Sequence, residues 1–147
     1  MKISSEFSKH ALSYESLNEI QTQVVTKLLL SVKTQPQKIL DLGCGSGAIC
    51  KSIDWNYDMF RGVDFAPGML ELHPKSKNIE AIYGNFNDKT LFEYLAMQSY
   101  DYLLSASALQ WAEDLETVFK NIKYLNAPIA LAIFTSNTFK TLNETAS

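Results

Sequence analysis

Hydrophobic residues along the chain recur with two alternating spacings, which predict strands separated by helices. Short apolar runs of strand length occupy 38–42, 59–64, 79–83, 100–105 and 128–134. Segments with apolar residues three and four positions apart, typical of helices that bury one face, occupy 7–31, 46–53, 87–96 and 115–124. A helix is also predicted after Pro67, which suits a first helical turn, and another from Thr138. Asp114 is the predicted N-cap of the helix at 115–124.

Strands that alternate with helices predict a parallel sheet covered on both faces. The expected fold class is therefore α/β, with a Rossmann-like, doubly wound, mostly parallel sheet. A chain of 147 residues fits one such domain. Ligands bind these sheets at the carboxyl ends of the strands, where the strand order reverses. The residues just after each strand are therefore the candidates for chemistry.

Composition removes several classes of function. Nearly half of the residues are apolar and the net charge is −3, which suits a globular protein and disfavours a nucleic-acid partner. The longest apolar run, 127–134, is too short to cross a membrane, and the polar N-terminus lacks a secretory signal. A cytoplasmic protein without a membrane partner is expected. Cys44 and Cys50 have no histidine near them in sequence, so we expect reduced thiols and no metal site.

A glycine-rich turn follows the first strand. Gly43 and Gly45 allow a tight turn and the close approach of a ligand to the backbone, and Gly47 lets the next helix lie near the strand. The glycines alone also fit a purely structural turn or a loose dinucleotide fingerprint. Asp41, two residues before Gly43, favours a different ligand, because a carboxylate buried at a strand end needs a partner. The amino group of S-adenosylmethionine or the N–H groups of the loop would supply one.

Polar residues also follow the second and third strands. Asp64 is placed to accept hydrogen bonds from both ribose hydroxyls of a nucleoside, although it would serve equally as a helix N-cap. Phe65 is placed to pack on an adenine face. Asn85 would accept a hydrogen bond from the adenine amino group, or belong to a simple turn.

The fourth strand ends in small residues, beginning at Ser105, that let a ligand approach. Gln110 and Trp111 follow and would line a substrate pocket. The alternative for Trp111 is a place in the core as a packed aromatic residue.

Four segments together resemble the class I S-adenosylmethionine-dependent methyltransferases. They are LDLGCGSG at 40–47, VDFAPGML at 63–70, YGNF at 83–86 and YDYLLSASALQW at 100–111. The resemblance spans roughly residues 38–135, the expected cofactor-binding core, with 1–35 as N-terminal lid helices. It implies S-adenosylmethionine as cofactor. It also implies ten cofactor-binding residues: Asp41, Gly43, Cys44, Gly45, Asp64, Phe65, Met69, Asn85, Phe86 and Ser105.

A narrower resemblance indicates a substrate. The segment at 7–29, with Phe7, Tyr14 and the glutamines at 21 and 23, is similar to the N-terminal helix of the malonyl-carrier-protein O-methyltransferases of biotin synthesis, the BioC group. The segments ending at Trp111 and at 134–144 resemble the same group. The trans-aconitate-type carboxyl methyltransferases share some of these features. The implied reaction is O-methylation of the free carboxylate of malonyl-acyl-carrier protein, or of another small acid.

A carboxylate acceptor is ionised at neutral pH and needs no general base. His10 and His73, the only histidines, are accordingly expected at the solvated surface. Arg61, the only arginine, lies inside the second strand, away from the expected ligand edge. Tyr14 is the one candidate for a residue near the methyl group.

The chain departs from the family in two ways. Asn85 stands where many relatives have aspartate, and the chain stops at Ser147, before the family's last helix and strand pair. We therefore expect a C-terminally shortened sheet whose fifth strand is an exposed edge, which favours a homodimer. Two other interpretations remain: a nicotinamide-dependent oxidoreductase, disfavoured by Asp41 and Asp64, and a non-catalytic S-adenosylmethionine-binding fragment.

Overall fold

The computed structural model describes residues 14–106, 114–134 and 139–144. The strands are β1 (Lys38–Leu42), β2 (Met59–Asp64), β3 (Ile79–Tyr83), β4 (Tyr102–Ala106), β5 (Ile129–Phe134) and β6 (Phe139–Glu144). The helices are α1 (Tyr14–Leu30), α2 (Ala48–Ser52), α3 (Pro67–Leu72), α4 (Lys89–Leu95) and α5 (Leu115–Lys123). No helix in these described ranges is long and apolar enough to cross a membrane.

The strands form one sheet in the order β3-β2-β1-β4-β5-β6. Strands β1 to β5 are parallel, which confirms the predicted doubly wound α/β class. The order reverses between β1 and β4, since β2 and β3 lie on one side of β1 and the later strands on the other. The crevice for a ligand is therefore expected at the carboxyl ends of β1 and its neighbours.

The first three strands have the bounds that their apolar runs predict. The helices are shorter than predicted, because the ends of α2 and α4 run into turns rather than continuing the apolar spacing. Asp114 caps α5 as expected, accepting a hydrogen bond of 3.2 Å from the backbone N–H of Thr117. Residues 7–13 of the predicted first helix lie outside the described residues.

The tail shows that one prediction is wrong. Instead of a helix from Thr138, residues 139–144 form β6, which pairs antiparallel with β5 from Phe134↔Phe139 to Ile129↔Glu144. Without β6, strand β5 would have an edge of unpaired backbone N–H and C=O groups, and pairing along that edge outweighs local helix propensity. The expected exposed edge at β5 is therefore covered. The homodimer stays a prediction, which light scattering of the purified chain at high concentration checks.

Strand β1 is buried on both faces, and its alternating side chains enter two different cores. Leu40 and Leu42 belong to the cluster that includes buried residues of α4 and α5. Ile39 belongs to the other cluster, with residues of α1 and α2. Because successive strand residues point to opposite faces, Asp41 lies on the side of Ile39 and therefore on the α1/α2 face.

Arg61 occupies the position that its place in β2 predicts, away from the glycine-rich turn. Its Nε donates to the carboxylate of Glu80 in the neighbouring strand β3. Its Nη1 donates to the hydroxyl of Tyr100 at 2.9 Å, and this hydroxyl donates to the carbonyl of Leu95 at 3.0 Å. The guanidinium also lies 5.4 Å from the ring centroid of Tyr94. Arg61 therefore joins β2 and β3 to the end of α4.

Replacing Arg61 with methionine, which keeps an unbranched stem but removes the guanidinium, is expected to lower the free energy of unfolding by about 1–3 kcal/mol. The physical reason is the loss of charge-assisted hydrogen bonds to groups that are partly buried. Urea denaturation measures the change. Lys77→Met, at an exposed position in the next loop, is the matched control and should change stability by less than about 0.5 kcal/mol. Equal effects of the two substitutions would show that the Arg61 network is not stabilising.

Candidate functional site

The turn after β1 is tied to the end of β2. The backbone N–H groups of Gly43 and Cys44 both donate to the carbonyl of Val63, at 2.8 and 3.0 Å. Gly43, Gly45 and Gly47 have φ values of 81°, 54° and 99°, a region that favours glycine because it lacks a Cβ. The predicted tight glycine turn is thus present at the ligand edge of the sheet.

Two of the glycines in this turn have different surroundings. A Cβ built on Gly45 would meet no atom within 4 Å, so this part of the turn is open. A Cβ on Gly47 would lie 2.5 Å from Cδ of Pro74, so Gly47 is packed against the loop after α3. The backbone at Gly45 is therefore open, whereas Gly47 is required by packing.

Asp41 lies next to this turn and is 1% exposed. Neither of its carboxyl oxygens has a hydrogen-bond partner among the described residues. Burial, with a smaller contribution from the charge of Asp64, raises the pKa of Asp41 to about 8. A buried carboxyl without a partner is either protonated or, once a cation pairs with it, ionised. Of the two partners that the sequence suggests for Asp41, the loop N–H groups do not supply a hydrogen bond, and pairing with a ligand stays a prediction.

Asp64 ends β2 on the same side of the turn and is 8% exposed. Its Oδ2 accepts a hydrogen bond of 3.1 Å from the N–H of Ala66, and no described residue donates to its Oδ1. The N-cap of α3 is Ala66, which makes no side-chain capping bond. The alternative role of Asp64 as a helix N-cap is therefore wrong, and Oδ1 of Asp64 has no donor among the described residues.

Phe65 and Met69 follow Asp64 and lie largely in solvent, at 58% and 47% exposure. Helix α3, which carries Met69, has no buried residue. Large apolar side chains left exposed beside a buried carboxylate form a surface suited to the flat face of an aromatic base.

Asn85 and Phe86, after β3, are placed differently from the expectation. The side-chain oxygen of Asn85 accepts hydrogen bonds from the backbone and side-chain N–H groups of Asn87, at 2.9 and 3.1 Å. Both lone pairs of this oxygen are therefore used within the turn, which favours the simple-turn alternative. Phe86 is buried in the core cluster with residues of α4. The side-chain oxygen of Asn85 is thus used in its own turn, and the side chain of Phe86 is used in the core.

Ser105 and Cys44 are both buried at the ligand edge. The hydroxyl of Ser105 donates to the carbonyl of Leu42 at 2.8 Å, which joins β4 to β1. Burial strongly raises the pKa of the Cys44 thiol, so this thiol is neutral and unreactive. The side chains of both residues are thus used in packing.

Gln110 and Trp111, predicted to line a substrate pocket, lie outside the described residues. Tyr14 is the first residue of α1, and its place near the methyl group stays a prediction.

His73 is a residue whose position the sequence did not indicate. It was expected at the surface but is 3% exposed, because the chain turns back after α3 and places the ring beneath Gly47 and beside Gly62. Its Nδ1 lies 2.8 Å from the carbonyl of Pro74. The one local signal in the sequence was Pro74, which directly follows His73 and indicates a fixed turn at this position.

Comparison with known proteins agrees with this geometry. Residues 40–134 match the family model described as a methyltransferase domain. The chain belongs to this methyltransferase family. The resemblance to the class I S-adenosylmethionine-dependent methyltransferases is therefore confirmed, and S-adenosylmethionine is the cofactor that membership implies.

Two curated proteins are similar to this chain over most of its length. The chain is 28% identical to a malonyl-[acyl-carrier protein] O-methyltransferase of Legionella pneumophila, over 96% of the chain and 52% of that protein. It is 29% identical to the biotin biosynthesis bifunctional protein BioHC of Saccharophagus degradans, over 97% of the chain and 26% of that protein. The methyltransferase chain spans about half or less of the length of these curated relatives.

A solved structure supports the fold. The plantazolicin methyltransferase BamL, in complex with a substrate analogue and SAH, matches with a TM-score of 0.57 and 17% identity. The match covers 90% of this chain and 50% of that one. At this identity the likeness is to the fold alone.

Proposed function

We propose that this chain binds S-adenosylmethionine at the carboxyl ends of β1 and β2 and transfers its methyl group to a carboxylate. The observation that carries the proposal is Asp41, whose two oxygens are buried without a partner among the described residues, near the open backbone at Gly45. A buried carboxyl without a partner is costly unless a ligand supplies a cation. The amino-acid end of S-adenosylmethionine carries such a cation, an ammonium group.

The remaining side chains fit the other parts of the cofactor. Oδ1 of Asp64 is available to accept from the ribose hydroxyls, as in nucleoside-binding sheets of this kind. Phe65 and Met69 offer exposed apolar surface to the adenine ring. Asn85 retains its side-chain amide N–H groups for a ring nitrogen, while its oxygen belongs to the turn. The donors and acceptors on this edge thus match a cationic nucleoside.

The proposed methyl transfer depends on aligning the acceptor oxygen with the methyl carbon and the sulfur, and it needs no proton transfer. When bound, S-adenosylmethionine supplies an electrophilic methyl group on a sulfonium. The acceptor carboxylate oxygen forms a bond to the methyl carbon as the carbon–sulfur bond breaks. The electron pair of the broken bond remains on sulfur. Asp41 and Asp64 hold the two ends of the donor, so that the direction of attack is set. The carboxylate is already ionised at neutral pH, so no residue has to remove a proton from it.

The acceptor proposed is malonyl-acyl-carrier protein, in biotin biosynthesis. The similarity to a malonyl-[acyl-carrier protein] O-methyltransferase and to a biotin biosynthesis protein supports this choice. Arg61 is not available to hold the malonyl carboxylate, because it is engaged with Glu80 and Tyr100. Gln110, Trp111 and Tyr14 stay the candidates on the acceptor side.

Isothermal titration with S-adenosylmethionine, S-adenosylhomocysteine and NAD tests the cofactor. We expect heat with the first two and none with NAD. Binding of NAD alone would overturn the proposal in favour of an oxidoreductase. Methyl transfer to malonyl-acyl-carrier protein, free malonate and aconitate then tests the acceptor. Turnover only with a free acid would favour the other small-acid enzymes, and binding without turnover would favour a non-catalytic fragment.

Gly45→Ala is expected to weaken binding of S-adenosylhomocysteine about tenfold or more, equivalent to roughly 1.4 kcal/mol. The added methyl group meets no protein atom, so it enters the space proposed for the ligand. The φ of 54° adds strain of about 1–2 kcal/mol to the fold. Calorimetry and thermal denaturation separate the two effects.

Gly68→Ala is the control for this substitution, because a Cβ at Gly68 also meets no atom within 4 Å and the residue lies inside helix α3. It should leave the affinity within twofold and slightly raise stability. Unchanged affinity in Gly45→Ala would show that the ligand does not approach the turn at this glycine.

A further inference from the structure

His73 lies between the two parts of the chain that carry the proposed cofactor site. A Cβ on Gly47 would be 3.2 Å from Cδ2 of His73 and 3.4 Å from its Nε2. A Cβ on Gly62 would be 3.1 Å from the same Nε2. The ring therefore occupies the space that side chains at these two positions would need, and it touches the backbone of both the glycine-rich turn and β2.

The hydrogen-bond state of the ring follows from its neighbours. The carbonyl of Pro74 only accepts, so Nδ1 carries a proton and donates to it at 2.8 Å. Burial lowers the pKa of His73, with further lowering from Lys75 and Lys51, so the ring is neutral. Nε2 then has a lone pair, which is buried and has no partner among the described residues. An apolar side chain would fill this space without leaving a polar atom unpaired. The presence of a polar ring at this position therefore suggests a role beyond packing.

The position of His73 in the fold suggests that reason. The ring is anchored to Phe60 of β2, with ring centroids 5.9 Å apart, and it directly follows α3. Strand β2 ends in Asp64, and α3 carries Met69. The glycine-rich turn above the ring adjoins Asp41 and contains Gly45. His73 thus contacts the elements that hold each end of the proposed ligand.

We propose that His73 is a positioning residue, whose neutral ring, wedged between Gly47 and Gly62, sets the spacing between the glycine-rich turn and β2 for cofactor binding. The proposal rests on the proposed function for the identity of the ligand. The spacing itself is a property of the ligand-free chain. Displacing the turn by a fraction of an ångström would move Asp41 and Asp64 relative to each other and weaken a ligand that spans them.

Three variants test this role. His73→Ala removes the ring, and His73→Gln keeps a polar amide near the position of Nε2. Phe92→Leu, in α4 and in the other core cluster, is the control for a loss of buried volume. The affinity for S-adenosylhomocysteine is measured by calorimetry. Hydrogen exchange of the Gly43 and Cys44 amides, which bond to Val63, is measured without ligand.

We expect His73→Ala to weaken binding about tenfold and to speed exchange of the two amides about tenfold, with most of both restored in His73→Gln. Phe92→Leu should lower the melting temperature but change affinity and amide exchange less than twofold. The proposal is overturned if His73→Ala behaves like Phe92→Leu. If the wild-type chain binds no S-adenosylhomocysteine, the proposed function fails, and the exchange of the two amides alone decides the role of His73.

Discussion

Asp41→Asn is expected to abolish cofactor binding while making the ligand-free protein more stable at alkaline pH. The loss of binding follows from removing the charge that is proposed to pair with the ligand's ammonium group. Breaking a buried charge pair typically costs 2–5 kcal/mol, so we expect at least about a hundredfold weaker binding of S-adenosylhomocysteine. Calorimetry of both proteins at pH 8 measures it.

The gain in stability follows from the pKa of Asp41, which is about 8 in the folded protein. In an unfolded chain it is about 3.9, so between these values the folded state holds a proton that the unfolded state has lost. The contribution of Asp41 to the unfolding free energy is therefore full below about pH 4 and decreases as pH rises towards 8, by at most about 5 kcal/mol. Asparagine does not titrate, so this decrease should be absent from the variant.

Urea denaturation of both proteins at pH 5 and pH 8 tests the direction in which the unfolding free energy changes with pH. The stability of the wild type should fall relative to that of Asp41→Asn as pH rises. A parallel pH dependence in the two proteins would mean that Asp41 is ionised in the folded state. Ligand binding should also release a proton near pH 7, because the carboxyl must ionise to pair with an ammonium. Titrations in buffers of different ionisation enthalpy detect that proton.

Gly62→Ala is expected to destabilise the fold by about 3 kcal/mol, the second large effect. A Cβ at this position would lie 2.7 Å from Sγ and 2.8 Å from Cβ of Cys44, and 3.1 Å from Nε2 of His73. These atoms belong to short, buried side chains, so relief requires the glycine-rich turn to move away from β2. Asp41 pairs with Gly62 in the sheet, so the same movement disturbs the proposed site.

Denaturant unfolding measures this loss of unfolding free energy, and the m-value is expected to stay unchanged. Gly68→Ala is again the control, since it adds the same methyl group in open space. A double-mutant cycle with Cys44→Gly separates the clash from other causes, because this change removes both Cys44 atoms that the new methyl group would meet. Additive effects in the cycle would show that the turn and β2 are not in contact through these side chains.

The sequence alone determined most of the parallel sheet and the edge at which the site is proposed. Strands β1 to β3 are recognisable because each is a short, mainly apolar run that ends at glycine or at a polar residue. Asp41 and Asp64 fall at strand ends by position alone, and parallel strands bring such ends to one edge of the sheet. Local order in the chain is therefore enough to predict that edge.

Only the tertiary structure decided features that depend on partners distant in sequence. The segment 139–144 is a strand because β5 offers an unpaired edge, which local propensity does not reveal. Phe86 points into the core and the oxygen of Asn85 into its own turn because α4 packs directly after them. His73 is buried because the chain after α3 returns to Gly47 and Gly62. Which polar groups remain unpaired depends on such packing, and both oxygens of Asp41 are buried without a hydrogen-bond partner among the described residues.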